Sequence, residues 1–454
     1  MPAQPESWPA RLAEESGIRA IAASPWDTKV LCLQRFVRLF AYGASFLVLV
    51  QFLSSLDISD DQIGLFMTLT LLGDVVLSFV LTLVTDAIGR RRVLFVGALM
   101  LVLSGAVFFL ADNYWILVLA SIFGVISPSG NEIGPFRAIE ESVLAQLTPE
   151  EHRSDVFAWY TLFGTAGAAL GTLTCGWMVQ SLQHSESWSG VPAYRAVWLL
   201  YAFLGVIKCI LNLMLSSDVE AEQHVARPSP ETERLLPDEE AQETPPPTML
   251  QRAKGLVPHI SPESRGILWR LLLLFSIDSF ASGMASPSWL TYFFTTVHSL
   301  QPGSLGTLFL VTNLLATVSN LAALPIARRI GPLRTMVFTH LPSALFLAAI
   351  PLSPASSPAG TWVAMALLAL RACTQSMDQA PRQAFLAAAV LPAERTAVLG
   401  VVNIVKTLAQ AGGIGSTGLL ANASMWIVAL GGAGLMKAAY DVFMLWMFVH
   451  TKRN

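Results

Sequence analysis

Residues 86–92 have the sequence Asp-Ala-Ile-Gly-Arg-Arg-Arg, and they separate two apolar runs, at 62–84 and 93–111. Each run is long enough to cross a membrane, because a spanning helix needs about 20 mostly apolar residues. Gly89 permits a tight turn between the two runs, and Asp86 can cap a helix start or pair with the arginines that follow it. Loops that carry clustered arginines favour the cytoplasmic side, so we expect this loop to lie there.

Ten further apolar runs extend this pattern along the chain. The sequence predicts twelve spans at about 31–54, 62–84, 93–111, 115–146, 156–180, 195–215, 266–297, 304–327, 335–352, 361–390, 396–420 and 425–449. Of the 454 residues, 54% are hydrophobic and 13% are charged, about half the ~25% charged residues of a soluble domain. This composition excludes soluble, disordered, collagen-like and disulfide-rich secreted classes, and it predicts an all-helical membrane protein.

Basic residues are distributed unevenly between the two sides that the spans define. The N-tail, the even-numbered loops and the C-tail carry eighteen Lys and Arg residues, whereas Arg195 stands alone in the odd-numbered loops. The positive-inside rule therefore predicts that both termini are cytoplasmic. The first 25 residues contain four prolines and no apolar stretch after a basic start, so the first span itself is expected to direct insertion. A plasma membrane and an internal, vacuolar-type membrane fit the sequence equally.

The segment 216–264 differs in composition from the rest of the chain. It is rich in proline and acidic residues, and no apolar period runs through it, so it predicts a disordered acidic linker. We therefore expect a cytoplasmic N-tail, an N-terminal six-helix bundle, this linker, a C-terminal six-helix bundle and a C-tail, at 1–30, 31–215, 216–264, 265–450 and 451–454.

The two six-span halves repeat one another. Matching residues recur in the same order: 40–43 with 280–283, Gly89 with Gly331, Glu132 and Pro135 with Asp378 and Pro381, and Lys208 and Asn212 with Lys437 and Asp441. Short matches between membrane helices also arise from shared composition, but lysines inside spans are rare. The ordered matches predict parallel repeats with a substrate site near the midplane between the halves.

The loop at 86–92 resembles the signature loop of the major facilitator superfamily, whose pattern is Gly-x-x-x-Asp-Arg/Lys-x-Gly-Arg-Arg/Lys-Arg/Lys. The matching residues are Asp86, Gly89, Arg90, Arg91 and Arg92. Two positions depart from the pattern, since Thr82 replaces the leading glycine and Ala87 replaces the basic residue after the aspartate. A degenerate counterpart lies at 328–334, in the matching loop of the second half.

The resemblance, which does not extend to a particular subfamily, implies a fold and a mode of action. The implied fold is an all-α membrane protein with twelve transmembrane helices in two six-helix bundles related by pseudo-two-fold symmetry. The implied activity is transport by alternating access. In that reading Asp86, Gly89 and the three arginines act as a conformational latch on the cytoplasmic side.

Several ionisable residues fall inside the predicted spans, where a charge costs about 2.5–3.5 kcal/mol and therefore faces a cavity or a partner. Those near mid-span are Arg38, Asp74, Lys208, Asp278, Arg371 and Lys437. Glu132, Asp378 and Asp441 lie nearer the cytoplasm, and Glu140, Glu141 and Arg382 are expected at the hydrated inner interface.

Arg371 has no acidic residue within one helical turn, so it is either an anchor for an anionic substrate or half of a buried pair with Asp74 or Asp278. Arg38 and Asp278 occupy equivalent positions in the repeats and could pair across the pseudo-two-fold axis. The expected substrate-binding residues are Arg371, Arg38, Asp278, Tyr42, Asn313 and Asn403. The expected proton-coupling residues are Asp74, Asp278, Glu132 and Asp378, because burial raises a carboxyl pKa toward neutrality.

The sequence favours a secondary active transporter of a small organic solute, coupled to protons because titratable groups lie within the spans and no nucleotide-binding domain is present. A glycine-rich fifth span faintly resembles an antiporter motif and slightly favours export. A proton symporter or facilitator of an organic anion is an alternative that depends on Arg371. A non-transporting receptor or scaffold with the same fold is an alternative of another class.

Other functional classes find no support in the sequence. No catalytic motif is present, so an enzyme is not expected, and the four isolated cysteines have neither zinc-ligand nor disulfide spacing. The net charge of −3 gives no electrostatic reason to expect nucleic acid. The expected partners are the lipid bilayer, a small-molecule substrate and protons; no cofactor or metal is expected, and the protein is expected to be a monomer.

Overall fold

The computed structural model describes residues 17–124, 126, 135–220, 262–379, 381–382, 385–386 and 395–448. In these ranges, ten helices or helix pairs are long and apolar enough to cross a membrane, and Tyr114–Phe123 forms a shorter apolar helix. The prediction of an all-helical, multi-span protein is confirmed.

The N-terminal half contains six predicted spans. Its helices are α1 (Ile18–Ala23), α2 (Trp26–Ser55), α3 (Asp60–Ile88), α4 (Arg90–Leu110), α5 (Tyr114–Phe123), α6 (Pro135–Leu147), α7 (Glu150–Gln183) and α8 (Val191–Leu213). The predicted fourth span corresponds to α5 and α6, and most residues between them lie outside the described part. Gly89 has φ 102° between α3 and α4, which is the left-handed conformation that the predicted tight turn requires.

The C-terminal half repeats this order. Its helices are α9 (Pro262–Met284), α10 (Pro287–Thr296), α11 (Pro302–Ile330), α12 (Pro332–Ala349), α13 (Pro358–Gln375), α14 (Arg395–Asn422), a π-helical turn at Ile427–Gly431, and α15 (Gly432–Phe448). The predicted seventh span is divided into α9 and α10 where Ser286 caps α10 and Pro287 starts it. Residues 221–261 of the predicted linker lie outside the described part.

Equivalent helices make equivalent contacts in the two halves. Helix α2 packs on α7 as α9 packs on α14, and α4 packs on α8 as α12 packs on α15. Within the second of these pairs, Gly205 lies against Val102 and its repeat counterpart Gly434 lies against Ala344. The predicted arrangement of two parallel six-helix repeats is therefore confirmed.

Glycines allow the first and fifth spans of each half to touch. Gly167 and Gly171 of α7 lie directly against the carbonyl oxygens of Phe36 and Phe40. In the other half, Gly413 of α14 lies in the same way against the carbonyl oxygen of Phe280. Backbones approach this closely only where side chains are absent, so helix packing accounts for the glycines of the fifth span.

The two halves meet toward the end of the bundle opposite Gly17 and Phe448, which we call the far end. There α3 crosses α14, α7 crosses α11, and α10 packs against α2. A β-carbon added at Gly64 would lie 2.8 Å from the Cα of Gly418, and Gly176 and Gly306 are packed almost as closely. Small residues therefore form the crossing points between the halves.

Hydrogen bonds join the halves at the same end. Gln51 donates to Thr295 over 3.3 Å, and the Tyr292 hydroxyl donates to Asp60 over 2.9 Å. Each of these bonds joins the far-end part of a span in one half to the far-end part of a span in the other. The far end of the molecule is consequently closed in this structure.

Candidate functional site

Glu140 of α6 is the centre of a charged cluster in the N-terminal half, and its side chain is 0% exposed. Arg38 of α2 and the hydroxyl of Tyr160 of α7 each donate to its Oε2 over 2.6 Å. The Nζ of Lys208 of α8 lies 3.6 Å from its Oε1. A carboxylate can remain charged at this depth only when it is paired and hydrogen-bonded, as Glu140 is.

Arg35 adds a further cation to this cluster. Its guanidinium lies 4.2 Å from the centroid of the Tyr160 ring, and the absence of a side chain at Gly164 leaves room for it. Aromatic faces attract guanidinium groups electrostatically. The N-terminal cluster thus combines three cations, those of Arg35, Arg38 and Lys208, with the single carboxylate of Glu140.

Asp278 of α9 is the centre of the corresponding cluster in the C-terminal half, where its side chain is 4% exposed. Lys437 of α15 donates to its Oδ1 over 2.7 Å, and Arg382 donates to its Oδ2 over 3.1 Å. Arg382 also pairs with Asp378, and Lys437 also donates to the hydroxyl of Ser282 over 2.7 Å. One aspartate therefore connects α9, α15 and the residues that follow α13.

Further buried groups surround this C-terminal cluster. The Nδ1 of His340 on α12 lies 2.9 Å from Oδ2 of Asp441 on α15, and both side chains are almost completely buried. Lys406 of α14 lies 5.5 Å from the centroid of the Phe275 ring. The cluster therefore extends to every span of this half except the eighth.

The two clusters have the same architecture, with the charges exchanged at two of the three positions and a lysine at the third position in both halves. In each half, residues from the first, fourth and sixth spans meet: Arg38, Glu140 and Lys208 in one half, and Asp278, Arg382 and Lys437 in the other. Because Arg38 and Asp278 each pair within their own half, the predicted pairing across the pseudo-two-fold axis is wrong.

Glu140 and Arg382 do not have the hydrated surroundings that the sequence predicts for them. Their side chains are 0% and 15% exposed, respectively, and both take part in the clusters. Glu141 differs, since it pairs with Arg137 at a side-chain exposure of 32%. The physical reason is that Arg38 and Lys208, which pair with Glu140, and Asp278, which pairs with Arg382, come from distant spans that local sequence position does not reveal.

Arg371 lies on the inward face of α13. It follows the buried Ala364 and Leu368 by two turns and one turn, respectively, and is itself half-buried. Asp278, one of its predicted partners, is already held by Lys437 and Arg382. Among the described residues, no carboxylate forms an ion pair with Arg371.

Asp74 of α3 is buried without a cationic partner in the described part of the chain. It is 5% exposed, and its Oδ1 accepts no hydrogen bond from a described residue. One turn earlier, the Thr70 hydroxyl lies 2.6 Å from the Ser121 hydroxyl of α5. The residues between α5 and α6 include no Lys or Arg, so that segment cannot supply a cation either.

The other predicted substrate-binding residues occupy different surroundings. Tyr42 contacts Phe46 with ring centroids 5.2 Å apart, and Phe46 contacts Phe309 of the other half at 5.5 Å. Asn313 is half-buried and Asn403 is exposed. Tyr42 therefore lies near the seam between the halves. Within the described ranges, no hydrogen bond joins either asparagine side chain to the charged clusters.

The signature loop is bound to its own half by Glu220. The backbone amides of Arg90 and Arg91 donate to the Glu220 carboxylate over 2.7 and 3.3 Å, an arrangement in which an acid caps a helix N-terminus. The Arg90 side chain donates to Gln146 over 2.8 Å. Arg92 is exposed.

Two predicted functional residues fall outside what the structure describes. These are the Asp86 side chain in the signature loop and the whole of Glu132. Conversely, sequence reasoning missed Arg35, Tyr160, His340 and Lys406. Arg35, His340 and Lys406 lie inside predicted spans, so the rarity of ionisable residues at membrane depth could have identified all three.

The fold defines a polytopic membrane protein built from two repeated six-span halves. The family model described as Major Facilitator Superfamily matches residues 31–414. The chain belongs to this superfamily, as its signature loop suggested.

One relative and several solved structures resemble the chain over nearly its whole length. The uncharacterized membrane protein YJR124C of Saccharomyces cerevisiae is 37% identical over 428 residues, covering 93% of this chain and 94% of that protein. The inward-open xylose transporter XylE of E. coli has a TM-score of 0.66 and 15% identity, covering 94% of this chain and 97% of that one. A bacterial homologue of the iron transporter ferroportin has a TM-score of 0.67 and 13% identity, covering 92% and 98%. At these identities the two structures establish the fold alone.

Proposed function

We propose that the protein moves a small organic solute across a membrane by alternating access, coupled to protons, with both termini in the cytoplasm. The observation that carries this proposal is the placement of contacts. The halves contact each other toward the far end, where glycines let their helices cross closely. The ion pairs of each charged cluster, by contrast, form between residues of the same half. Neither cluster therefore has to break when the halves rotate relative to one another.

Rocking needs contacts that can open at low cost. The crossing of α3 and α14 at Gly64 and Gly418 is a backbone contact between small residues, and the accompanying hydrogen bonds, such as that between Gln51 and Thr295, involve neutral side chains. Water can replace such bonds, because a typical hydrogen bond contributes only about 0.5–1.5 kcal/mol net. The described state is, in this proposal, the one open toward the cytoplasm.

Proton coupling is supported by the buried carboxylates. Asp278 holds Lys437 and Arg382 together, so a proton on this carboxylate would release two cations at once. Asp378 shares Arg382, and Asp74 is a buried acid without a cation in the described part of the chain. Intramembrane acids of this kind are typical of proton pathways. Glu132 stays a further candidate by sequence alone.

An organic anion is the substrate class that a specific observation favours. Arg371 faces inward from α13 and forms no ion pair with a described carboxylate. An inward guanidinium left without a carboxylate is suited to a carboxylate or phosphate group, which it can bind in bidentate fashion. Arg38 and Asp278 are, by contrast, engaged in their clusters, so we assign them to positioning and coupling.

The solute can be identified by untargeted metabolite comparison between cells that lack the protein and cells that overexpress it. Flux of that solute into vesicles under an imposed pH gradient then tests the coupling. Uptake stimulated by an inward proton gradient supports symport and contradicts export by proton antiport, the direction that the sequence slightly favours. A flux of the solute that is the same with and without the pH gradient contradicts proton coupling.

The rival proposal of a receptor or scaffold predicts a different result. Under it, Asp278→Asn and Arg371→Ala variants keep every phenotype of the parent, because no solute crosses between the halves. Loss of the solute phenotype in variants that still reach the membrane contradicts the scaffold.

A further inference from the structure

We propose that His340 and Asp441 form a proton-binding dyad, through which the C-terminal half takes up the coupling proton. This inference rests on the proposed proton-coupled transport, and it assigns the proton to a site on the ninth and twelfth spans. The ligand is a proton that enters from water and leaves to water, so no covalent bond is made or broken.

The geometry of the dyad is that of a tautomer-fixing pair. The Nδ1 of His340 lies 3.0 and 2.9 Å from the two carboxylate oxygens of Asp441. An ionised carboxylate can only accept hydrogen bonds, so Nδ1 carries the hydrogen of the neutral imidazole. The other ring nitrogen, Nε2, is then the atom that accepts the incoming proton. Histidine is suited to this role because its ordinary charge change falls between pH 5 and 8.

The N-terminal half provides an internal comparison. The repeat counterpart of Asp441 is Asn212, and the offset between Arg92 and Arg334 makes Ala98 the counterpart of His340. Ala98 is 0% exposed, and the Asn212 amide donates to the carbonyl of Lys208 on its own helix over 3.0 Å and to the carbonyl of Leu94 on α4 over 3.3 Å. The same packing position is therefore occupied by a methyl group and a neutral amide in one half and by an imidazole and a carboxylate in the other.

This comparison separates packing from chemistry. Both halves keep the glycine contact between their third and sixth spans, at Gly205 in one half and at Gly434 in the other. The fold does not need an ionisable pair at this contact. Because the buried His–Asp pair occurs in only one of the two repeats, it is suited to a chemical role that the fold itself does not require.

The dyad has ionisable neighbours through which it can act. The helices packed against α12 carry further ionisable residues: Lys437, Tyr440 and Asp441 on α15, Arg371 and Cys373 on α13, and the exposed Arg328 and Arg329 at the end of α11; Arg334 is on α12 itself. Asp278 of α9 also lies close enough to interact electrostatically with His340. Lys437 connects the dyad to the C-terminal cluster, because it precedes Asp441 by one helical turn and binds Asp278.

Protonation changes the charge that Lys437 experiences. Without the proton the dyad has a net charge of −1 and attracts the Lys437 ammonium, whereas with the proton the imidazolium and carboxylate cancel. The charge of the Lys437 ammonium is then balanced by Asp278 and no longer by the dyad. Because Asp278 also holds Arg382, proton uptake at the dyad redistributes the ion pairs that connect α9, α15 and the residues after α13.

The test is a histidine titration of the full-length protein in lipid nanodiscs. The protein is labelled at histidine, and side-chain NMR signals are followed from about pH 5 to 8.5. His340 is assigned by loss of its signal in His340→Gln and, should that variant fold poorly, in His340→Ala, which reproduces Ala98. The probe is the proton itself, so no solute is needed.

We expect the His340 signal to titrate reversibly in this range and its midpoint to fall by about one pH unit in Asp441→Asn, because removal of the carboxylate weakens proton binding. Asp441→Asn copies the native Asn212 of the other repeat. The matched control is His298→Gln, because His298 follows α10 and its Nδ1 lies 3.2 Å from the Thr361 hydroxyl, away from the dyad. This variant leaves the His340 midpoint unchanged. The proposed dyad is overturned if the His340 signal does not titrate, or if its midpoint is the same in the parent protein and in Asp441→Asn.

Failure of the dyad and failure of the proposed function give different results. Gradient-driven solute flux that keeps its pH dependence in His340→Gln and Asp441→Asn overturns the dyad and leaves proton-coupled transport standing. If the NMR titration is as expected but the protein moves no solute into vesicles, the result supports proton binding by the dyad and contradicts the proposed transport.

Discussion

At the scale of single residues, the two clusters explain how ionisable side chains remain inside membrane spans. Glu140 and Asp278 each hold two cations, so every charge at the cluster centre has a partner within 3.6 Å. Pairing of this kind does not by itself stabilise a fold, because desolvation offsets attraction. Removal of one partner is a different matter, since the charges left behind lose their compensation.

Glu140→Gln tests this reasoning directly. The substitution leaves Arg38 and Lys208 buried without a carboxylate, and we expect a loss of about 3–5 kcal/mol in stability. The control is Glu141→Gln on the same helix, where the carboxylate is partly exposed and solvent screening reduces the effect below about 1 kcal/mol. Thermal unfolding of the two purified variants in detergent should differ clearly, and equal melting temperatures would contradict the cluster.

Arg371 should respond in the opposite way. Because no described carboxylate pairs with it, Arg371→Ala leaves no buried acid uncompensated, and we expect its melting temperature to stay close to that of the parent. Uptake of anionic solutes should nevertheless fall by about 10-fold or more, which is the effect of losing a charge-assisted hydrogen bond of 1.5–3 kcal/mol. A large loss of stability would indicate a structural ion pair instead.

At the scale of helices, the glycine contacts between the first and fifth spans of each half determine how closely the bundles pack. Gly413 of α14 is pressed against the Phe280 carbonyl, whereas nothing lies within 4 Å of a β-carbon added at Gly400 of the same helix. The two glycines therefore form a matched pair with opposite expected behaviour.

Gly413→Ala should force α9 and α14 apart and cost about 1–3 kcal/mol, which is typical of overpacking. Gly400→Ala should be neutral or stabilising by up to about 1 kcal/mol, since alanine favours a helix over glycine. Melting temperatures of the two variants give the comparison. Similar behaviour at both positions would contradict the close packing of α9 and α14.

The sequence predicted the elements well and their partners poorly. Span positions, the turn at Gly89 and the six-to-six repeat follow from hydropathy and glycine placement, which are local signals. Pairing does not, because Arg38 is 102 residues from Glu140 and Asp278 is 159 residues from Lys437. Only the packing of α2 and α7 against α6, and of α9 against α15, brings these groups together.

At the scale of the whole molecule, the proposed alternating access requires the two halves to separate and rejoin at the far end. Thr68 of α3 donates to the Ala411 carbonyl of α14 over 3.0 Å, so these spans touch across the seam. A β-carbon at Gly415 would lie 3.9 Å from that of Thr68. This separation lies within the 3.5–4.5 Å range of a disulfide, so a cysteine pair can lock the halves together there.

The most direct test is transport by the Thr68→Cys and Gly415→Cys double variant in vesicles supplied with a metabolite extract, with accumulated solutes measured by mass spectrometry. If the halves must separate during transport, oxidation of the double variant stops accumulation and a reductant restores it. Accumulation by each single variant is unchanged by either treatment. Undiminished accumulation in a fully cross-linked sample would contradict alternating access at this seam.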